Sequence, residues 1–198
     1  MTIRQINTAT AAEVDQCIAV MSLAFSSDPG VRWLYPDPHQ YMKYFPRFVR
    51  AFGGRAFENG TAQTIGGGAA AALWLPPGVL PDDEALAALI EESVPESKHA
   101  AVFSVFEQMG AFHPHEPHWH LPLIGTDPSR QRKGDGSALL RHALSVCDEQ
   151  QVPAYLEATS STSVPLYQRH GFEVLGTIQL KSSPPIYPML RKPQKAVH

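Results

Sequence analysis

A chain of 198 residues with 43% apolar content is long enough to bury a core of its own and too apolar to stay disordered. A formal charge of −3, with sixteen Lys and Arg scattered along the chain, excludes the basic face of a nucleic-acid binder. Cys17 and Cys147 do not read as a disulfide framework, and MTIRQINTAT lacks the apolar core of a signal peptide, so a cytoplasmic protein without nucleic-acid or membrane partners is expected.

The alternation at Ile3 to Ile6 predicts a short strand. Thr10-Ala11-Ala12-Glu13 has the form of a capping box, followed by a helix with Val14, Cys17, Ile18, Met21 and Phe25 on one face. Asp28-Pro29-Gly30 is read as its end. A second helix is expected from about Pro38 to Phe52, its apolar side made of Tyr41, Tyr44, Phe45, Phe48 and Phe52, with Gly53-Gly54 as a stop. Strands at Arg55–Glu58 and Thr61–Leu75 are predicted around an Asn59-Gly60 hairpin, with a bulge or turn at Gly66-Gly67-Gly68. Asp82 to Phe112 returns to the helical period in two pieces broken near Pro95. A strand at His118–Thr126, a helix at about Gly134–Glu149, a strand at Ala154–Ala158, a short helix at Val164–His170 and strands near Glu173–Leu180 and Ile186–Leu190 complete the chain. With no repeat and no linker, residues 1–198 are expected to form a single α+β domain around a central mixed sheet.

The junction Thr126-Asp127-Pro128-Ser129-Arg130-Gln131-Arg132-Lys133-Gly134-Asp135-Gly136-Ser137 carries the clearest chemistry. Gly134 and Gly136 let a ligand approach the backbone, and the first N–H groups of the following helix have no intrahelical partners. With the helix dipole and the charges of Arg132 and Lys133, these groups predict a pyrophosphate site. An ordinary glycine-bearing helix start is the alternative on this loop alone. The dinucleotide fingerprint and the P-loop both require patterns absent here.

Gln131, Gly134 and Gly136 match the coenzyme A motif of the GNAT superfamily of acyl-CoA-dependent N-acyltransferases, which this sequence resembles. The resemblance extends back to His120-Leu121-Pro122-Leu123-Ile124-Gly125-Thr126 and forward through Leu156-Glu157 to Leu166-Tyr167-Gln168-Arg169-His170-Gly171-Phe172, about the last eighty residues. Glu116–Leu121, Val152–Glu157 and Met189–Pro193 further resemble puromycin N-acetyltransferase and its relatives.

The resemblance implies a mostly antiparallel sheet splayed in the middle and flanked by helices on both faces. It implies acetyl-CoA as co-substrate, its pantetheine arm pairing with Ile124, Gly125 and Thr126 and its phosphates meeting Gln131 to Ser137. Pro122, unable to donate to a ladder, suits a strand that loses its partner midway, or a bulge. Tyr167 matches the general acid that protonates the departing thiolate. His120 stands where histone-acetylating relatives carry a base, Glu157 is the competing base, and Ser160 replaces a cofactor-contacting asparagine. Asp28, Trp33 and Tyr35 are expected on the acceptor side.

Asp135 departs from the family pattern, since a carboxylate beside a pyrophosphate repels it unless turned away. The run His113-Pro114-His115-Glu116-Pro117-His118-Trp119-His120 has histidines but no cysteine or acidic cluster beside it in sequence, so no metal site is expected. The implied activity is direct acetyl transfer to the amine of a small molecule by a monomer or homodimer. The alternatives are a protein lysine or N-terminal acetyltransferase and a non-catalytic acyl-CoA sensor.

Overall fold

The computed structural model describes residues 5–180 and 182–194, and within them the chain alternates helical layers with a single sheet. β1 (Ile6–Thr8) leads through a 3-10 turn to α1 (Val14–Ala24), α2 (Pro29–Leu34), α3 (Pro38–Gly53) and the one-turn α4 (Arg55–Glu58). β2 (Ala62–Ile65) and β3 (Ala70–Leu75) precede α5 (Asp83–Ser93) and α6 (Glu96–Phe112). β4 (Trp119–Thr126), α7 (Asp135–Gln150), β5 (Ala154–Ala158), α8 (Val164–Gln168), β6 (Glu173–Val174) and β7 (Tyr187–Arg191) follow. Among the described residues the strand order is β1-β2-β3-β4-β5-β7-β6, and every neighbouring pair is antiparallel except β4–β5.

Helices cover both faces, as an α+β sheet of this size requires. On one face α1, α3 and α5 pack Met21, Phe45, Val49 and Ile90 against Ala71, Leu73, Leu75 and Leu123. On the other, α7 lays Leu139, Leu140, Ala143 and Leu144 against Ala72, Trp74, Leu121 and Leu156. α1 crosses β4 so closely that a Cβ on Gly125 would stand 2.8 Å from the Ala24 Cβ and 2.9 Å from the Met21 Sδ. That glycine is a packing requirement.

β4 and β5 run parallel and are in register only at Trp119↔Ala154 and His120↔Tyr155. Beyond this point β4 keeps its antiparallel partner β3, pairing Leu123 with Leu73 and Thr126 with Ala70. The β3–β4 register shifts between Leu73↔Leu123 and Leu75↔His120, so β4 carries one extra residue there. Bulge and splay therefore coincide at Leu121–Pro122, where a residue without an N–H costs no ladder bond. The bulge also reverses the pleat: Leu121 joins the α7 side while His120 and Leu123 face α3 and α1.

Several expectations are corrected. Arg55–Glu58 is a helical turn, not a strand, and Asn59-Gly60 leaves that turn rather than closing a hairpin. The hairpin between β2 and β3 is the glycine run itself: Gly66, Gly67 and Gly68 have φ of 60°, 63° and 88°, a left-handed succession open to glycine at little cost. Asp28-Pro29-Gly30 begins a helix instead of ending one, because the Asp28 carboxylate accepts the Val31 N–H at 3.0 Å and Pro29 occupies the first turn. Ile3 and Arg4 of the first expected strand lie outside the described residues. The penultimate strand is short, continued only by an isolated Ile178↔Ile186 bridge. The capping box holds, with both the Thr10 N–H and hydroxyl donating to Glu13 at 2.8 Å.

Candidate active site

A cavity of about 830 Å³ opens where β4 and β5 part and runs from the start of α7 to the space between α2, α3 and α6. At the first end, Asp127 caps a 3-10 turn by accepting the Ser129 N–H at 2.8 Å. The chain then turns through Arg132 (φ 62°) and Gly134 (φ 89°) into α7. The first helical backbone bond there is Ala138 N–H to Gly134 C=O, at 3.0 Å, so the N–H groups just before it lack intrahelical partners. A Cβ on Gly136 would have only Thr126 Oγ1 nearby, at 3.7 Å, and would project into open space. Ile124, Gly125, Thr126, Gln131, Arg132, Gly134, Asp135, Gly136, Ser137 and Ser160 all line the cavity.

Asp135 resolves its own conflict. Its side chain is fully buried, and Arg130 donates to it from Nε and Nη2, both at 3.2 Å. The carboxylate is thus neutralised and drawn down against the loop. Lys133 does not line the cavity: its Nζ donates to the Ser129 carbonyl at 3.1 Å. Arg130 and Arg169 do line it, and neither was among the expected cofactor-binding residues.

Tyr167, on α8, is buried and lines the cavity. Burial pushes its phenol above the ordinary value, and the nearby Asp28 carboxylate adds to the effect. Asp28 accepts Thr159 Oγ1–H at 2.5 Å as well as the Val31 N–H, so it ties α2 to the end of β5 while lining the cavity. Trp33 also lines it, beneath the Lys98 ammonium 4.4 Å from the ring centroid. Tyr35 does not: it is fully buried with its hydroxyl 3.0 Å from Ser93 Oγ, a core residue.

The two expected bases divide by position. Glu157 lines the cavity, whereas His120, on the neighbouring strand, lies behind it with its Nε2 3.0 Å from Glu157 Oε2. A residue that the sequence offered only as part of the histidine run completes the group. His113, at the C-terminal end of α6, places Nε2 3.1 Å from Glu157 Oε1. Ligand-type atoms of His113, His120 and Glu157 all lie within 4.8 Å of one another. The acidic companion that the histidine run lacked in sequence arrives from β5. Burial works to raise the Glu157 carboxyl, but the adjacent His120 and His113 imidazoles, when they carry a proton, outweigh it and hold it well below the usual carboxylate range.

Comparison with known proteins agrees with this geometry. A family model described as acetyltransferase (GNAT) domain matches residues 83–192. An uncharacterized N-acetyltransferase of Schizosaccharomyces pombe is 29% identical over 79 residues, 38% of this chain and 32% of the relative, so the alignment spans about a third of that protein's length. A solved structure described as histone acetyltransferase HPA2 and related acetyltransferase, from Corynebacterium glutamicum, is 25% identical with a TM-score of 0.67, covering 98% of this chain and 99% of its own. Arylalkylamine N-acetyltransferase 2 from Aedes aegypti, 10% identical with a TM-score of 0.66 over 98% and 100% of the two chains, shares the fold. Among the described residues no helix is long and apolar enough to cross a membrane. The splayed sheet, the glycine-led start of α7 and a match over more than half of the chain lead to one conclusion: the chain belongs to the GNAT acetyltransferase family, whose members are acyltransferases that use acetyl-CoA.

Proposed function

We propose that this chain, acting as one 1–198 unit, transfers the acetyl group of acetyl-CoA directly to the amine of a small, largely apolar molecule. The observation that carries the reading is one cavity with two chemically different ends, whose wall also includes Tyr167 and Glu157. One end offers backbone N–H groups and the cations Arg130 and Arg132. The other offers Trp33, Phe48, Phe52, Val102, Phe106 and Met109.

The start of α7 would bind the pyrophosphate, with Gln131 and Ser160 at its margins. The edge of β4 at Ile124 to Thr126, turned away from β5, would pair with the pantetheine amides. Glu157 accepts a proton from the ammonium form of the acceptor. The free amine attacks the thioester carbonyl, whose oxygen is stabilised by a backbone N–H of β4. As the C–S bond breaks, Tyr167 gives its proton to the sulfur. A phenol kept protonated by burial suits that task. His120 positions Glu157 rather than meeting the acceptor.

None of the relatives named above is a puromycin acetyltransferase, so the acceptor screen opens on apolar primary amines in general, puromycin among them. Thiol release from acetyl-CoA is followed for each amine, with a lysine peptide and an N-terminal peptide alongside. Turnover of the amines and not of the peptides is expected. Turnover of the peptides alone would replace this reading with protein acetylation, and acetyl-CoA binding without turnover of anything would leave a sensor.

A further inference from the structure

We propose that His113 and His118 form a proton path that carries the acceptor's proton from Glu157 to solvent, a role resting on the assignment of Glu157 as the group that takes it. The path is a chain of polar contacts within hydrogen-bond distance and of graded exposure. Glu157 Oε1 lies 3.1 Å from His113 Nε2, His113 Nδ1 lies 3.2 Å from His118 Nε2, and His118 Nδ1 lies 2.9 Å from the Glu116 carbonyl oxygen. The Glu157 side chain is 3% exposed and that of His113 22%, while His118 is half-buried and Glu116 is at the surface.

Counting hydrogens fixes the direction. The Glu116 carbonyl only accepts, so His118 carries its hydrogen on Nδ1 and leaves Nε2 as an acceptor. The hydrogen between the rings therefore sits on His113 Nδ1. The last link, from His113 Nε2 to the carboxylate, needs one proton more than two neutral rings supply. That is the proton the chain carries in transit. When Glu157 passes its proton to His113 Nε2, His113 gives its Nδ1 proton to His118 Nε2, and His118 releases its Nδ1 proton to water. One proton leaves the acceptor, one reaches solvent, and both rings end neutral as the opposite tautomers, which exchange back before the next turnover.

The surroundings favour this route. Burial lowers the basicity of His118, which keeps its Nε2 lone pair available. The prolines hold the rings: a residue before proline is driven out of the helical region, and His113, ahead of Pro114, ends α6 with ψ of 134°. The titratable groups facing the path are His120 from β4 and Tyr155 from β5, with Phe52 of α3 against His120. Burial raises the Tyr155 phenol, so it does not compete for the proton. His120 cannot serve as the exit, because it is buried and its Nδ1 has no hydrogen-bond partner.

Two measurements on the full chain test the path. In the resting protein, ring-nitrogen NMR should show His118 protonated on Nδ1, with a hydrogen-bond coupling across His113 Nδ1 and His118 Nε2. His118 protonated on Nε2 alone would overturn the proposal without any turnover assay. In kinetics, His113→Gln can reach Glu157 with its amide but cannot pass a proton on. Acetyl-CoA affinity and folding should be retained while kcat falls about 100-fold, the low end of what a positioned proton transfer contributes. Added imidazole should restore much of the activity of His113→Ala. A His113→Gln enzyme equal to wild type, or a His113→Ala loss that imidazole leaves unchanged, would sink the path. A Glu157→Gln enzyme as fast as wild type would instead remove the base assignment on which the path rests.

Discussion

The two ends of the cavity are built by opposite means. The end at α7 is made of near neighbours in sequence, Arg130 to Ser137 without Lys133, and much of its chemistry is that of the backbone, exposed because Gly134 and Gly136 have no side chains. The end between α2, α3 and α6 is made of side chains brought together from Trp33, Phe52 and Phe106, and its backbone is hidden inside helices. A backbone site binds the feature that all acyl-CoA donors share. A side-chain site can change its acceptor by exchanging one aromatic residue for another, with the donor end untouched.

Damage at one end should leave the other intact. The largest effect is expected from Gly136→Glu. Glutamate is welcome in the first turn of a helix, so folding should survive, but its carboxylate would stand where the pyrophosphate binds. Titration calorimetry should show acetyl-CoA binding weakened by more than about 100-fold, equivalent to about 2.8 kcal/mol. Unchanged affinity would mean that α7 does not hold the donor.

Tyr167→Phe comes next. Initial rates should fall about 100-fold with no change in acetyl-CoA affinity, because the lost group acts only on the departing sulfur. Trp33→Ala should raise the KM for an apolar amine by about 10-fold, the equivalent of roughly 1.4 kcal/mol of lost apolar contact, again without touching acetyl-CoA affinity. A parallel loss of acetyl-CoA affinity would break the comparison by showing that the two ends fold as one.

The acid side gives a smaller effect read by stability. Because the imidazoles hold the folded Glu157 carboxyl at about 2, against 4.5 when free, its ionised form stabilises the fold above the free value. That contribution disappears as pH falls from about 4.5 toward 2. Thermal melts of wild type should decline through this window more steeply than those of Glu157→Gln. Smallest of all, Asp135→Asn should lower stability by roughly 1 kcal/mol, since Arg130 is partly solvated, while acetyl-CoA binds about threefold tighter to the released Arg130. Weaker binding would show that Asp135 builds the loop rather than merely sitting in it.

The same division explains what could be read from the sequence. The β4–α7 junction, its glycines and the position of Tyr167 are local patterns, legible because the residues that act together are neighbours in the chain. The Asn59-Gly60 dipeptide misled because its left-handed glycine ends a short helix, a use that the dipeptide alone does not distinguish from a hairpin. Tyr35 looked like an acceptor-side aromatic, but only the burial of its hydroxyl against Ser93, 58 residues away, identifies it as core. His113 was read only as part of a histidine run for the same reason: its pairing depends on Glu157, 44 residues later. Asp135 read as an obstacle because the tertiary position of Arg130, five residues before it, could not be anticipated. Long-range pairing defines the acceptor side, and no periodicity announces it.

The brief register between β4 and β5 has a consequence for the protein's persistence in a cell. With Trp119↔Ala154 and His120↔Tyr155 as the in-register pairs, the two halves of the sheet are joined at a narrow seam. A donor molecule laid along the open edge of β4 would act as a removable strand and close that seam. Thermodynamic linkage then gives about 2.7 kcal/mol of extra stability when the donor stands at 100 times its dissociation constant. The survival of this chain against proteases would rise and fall with the supply of acetyl donors, so that scarcity would lower the amount of enzyme as well as its rate.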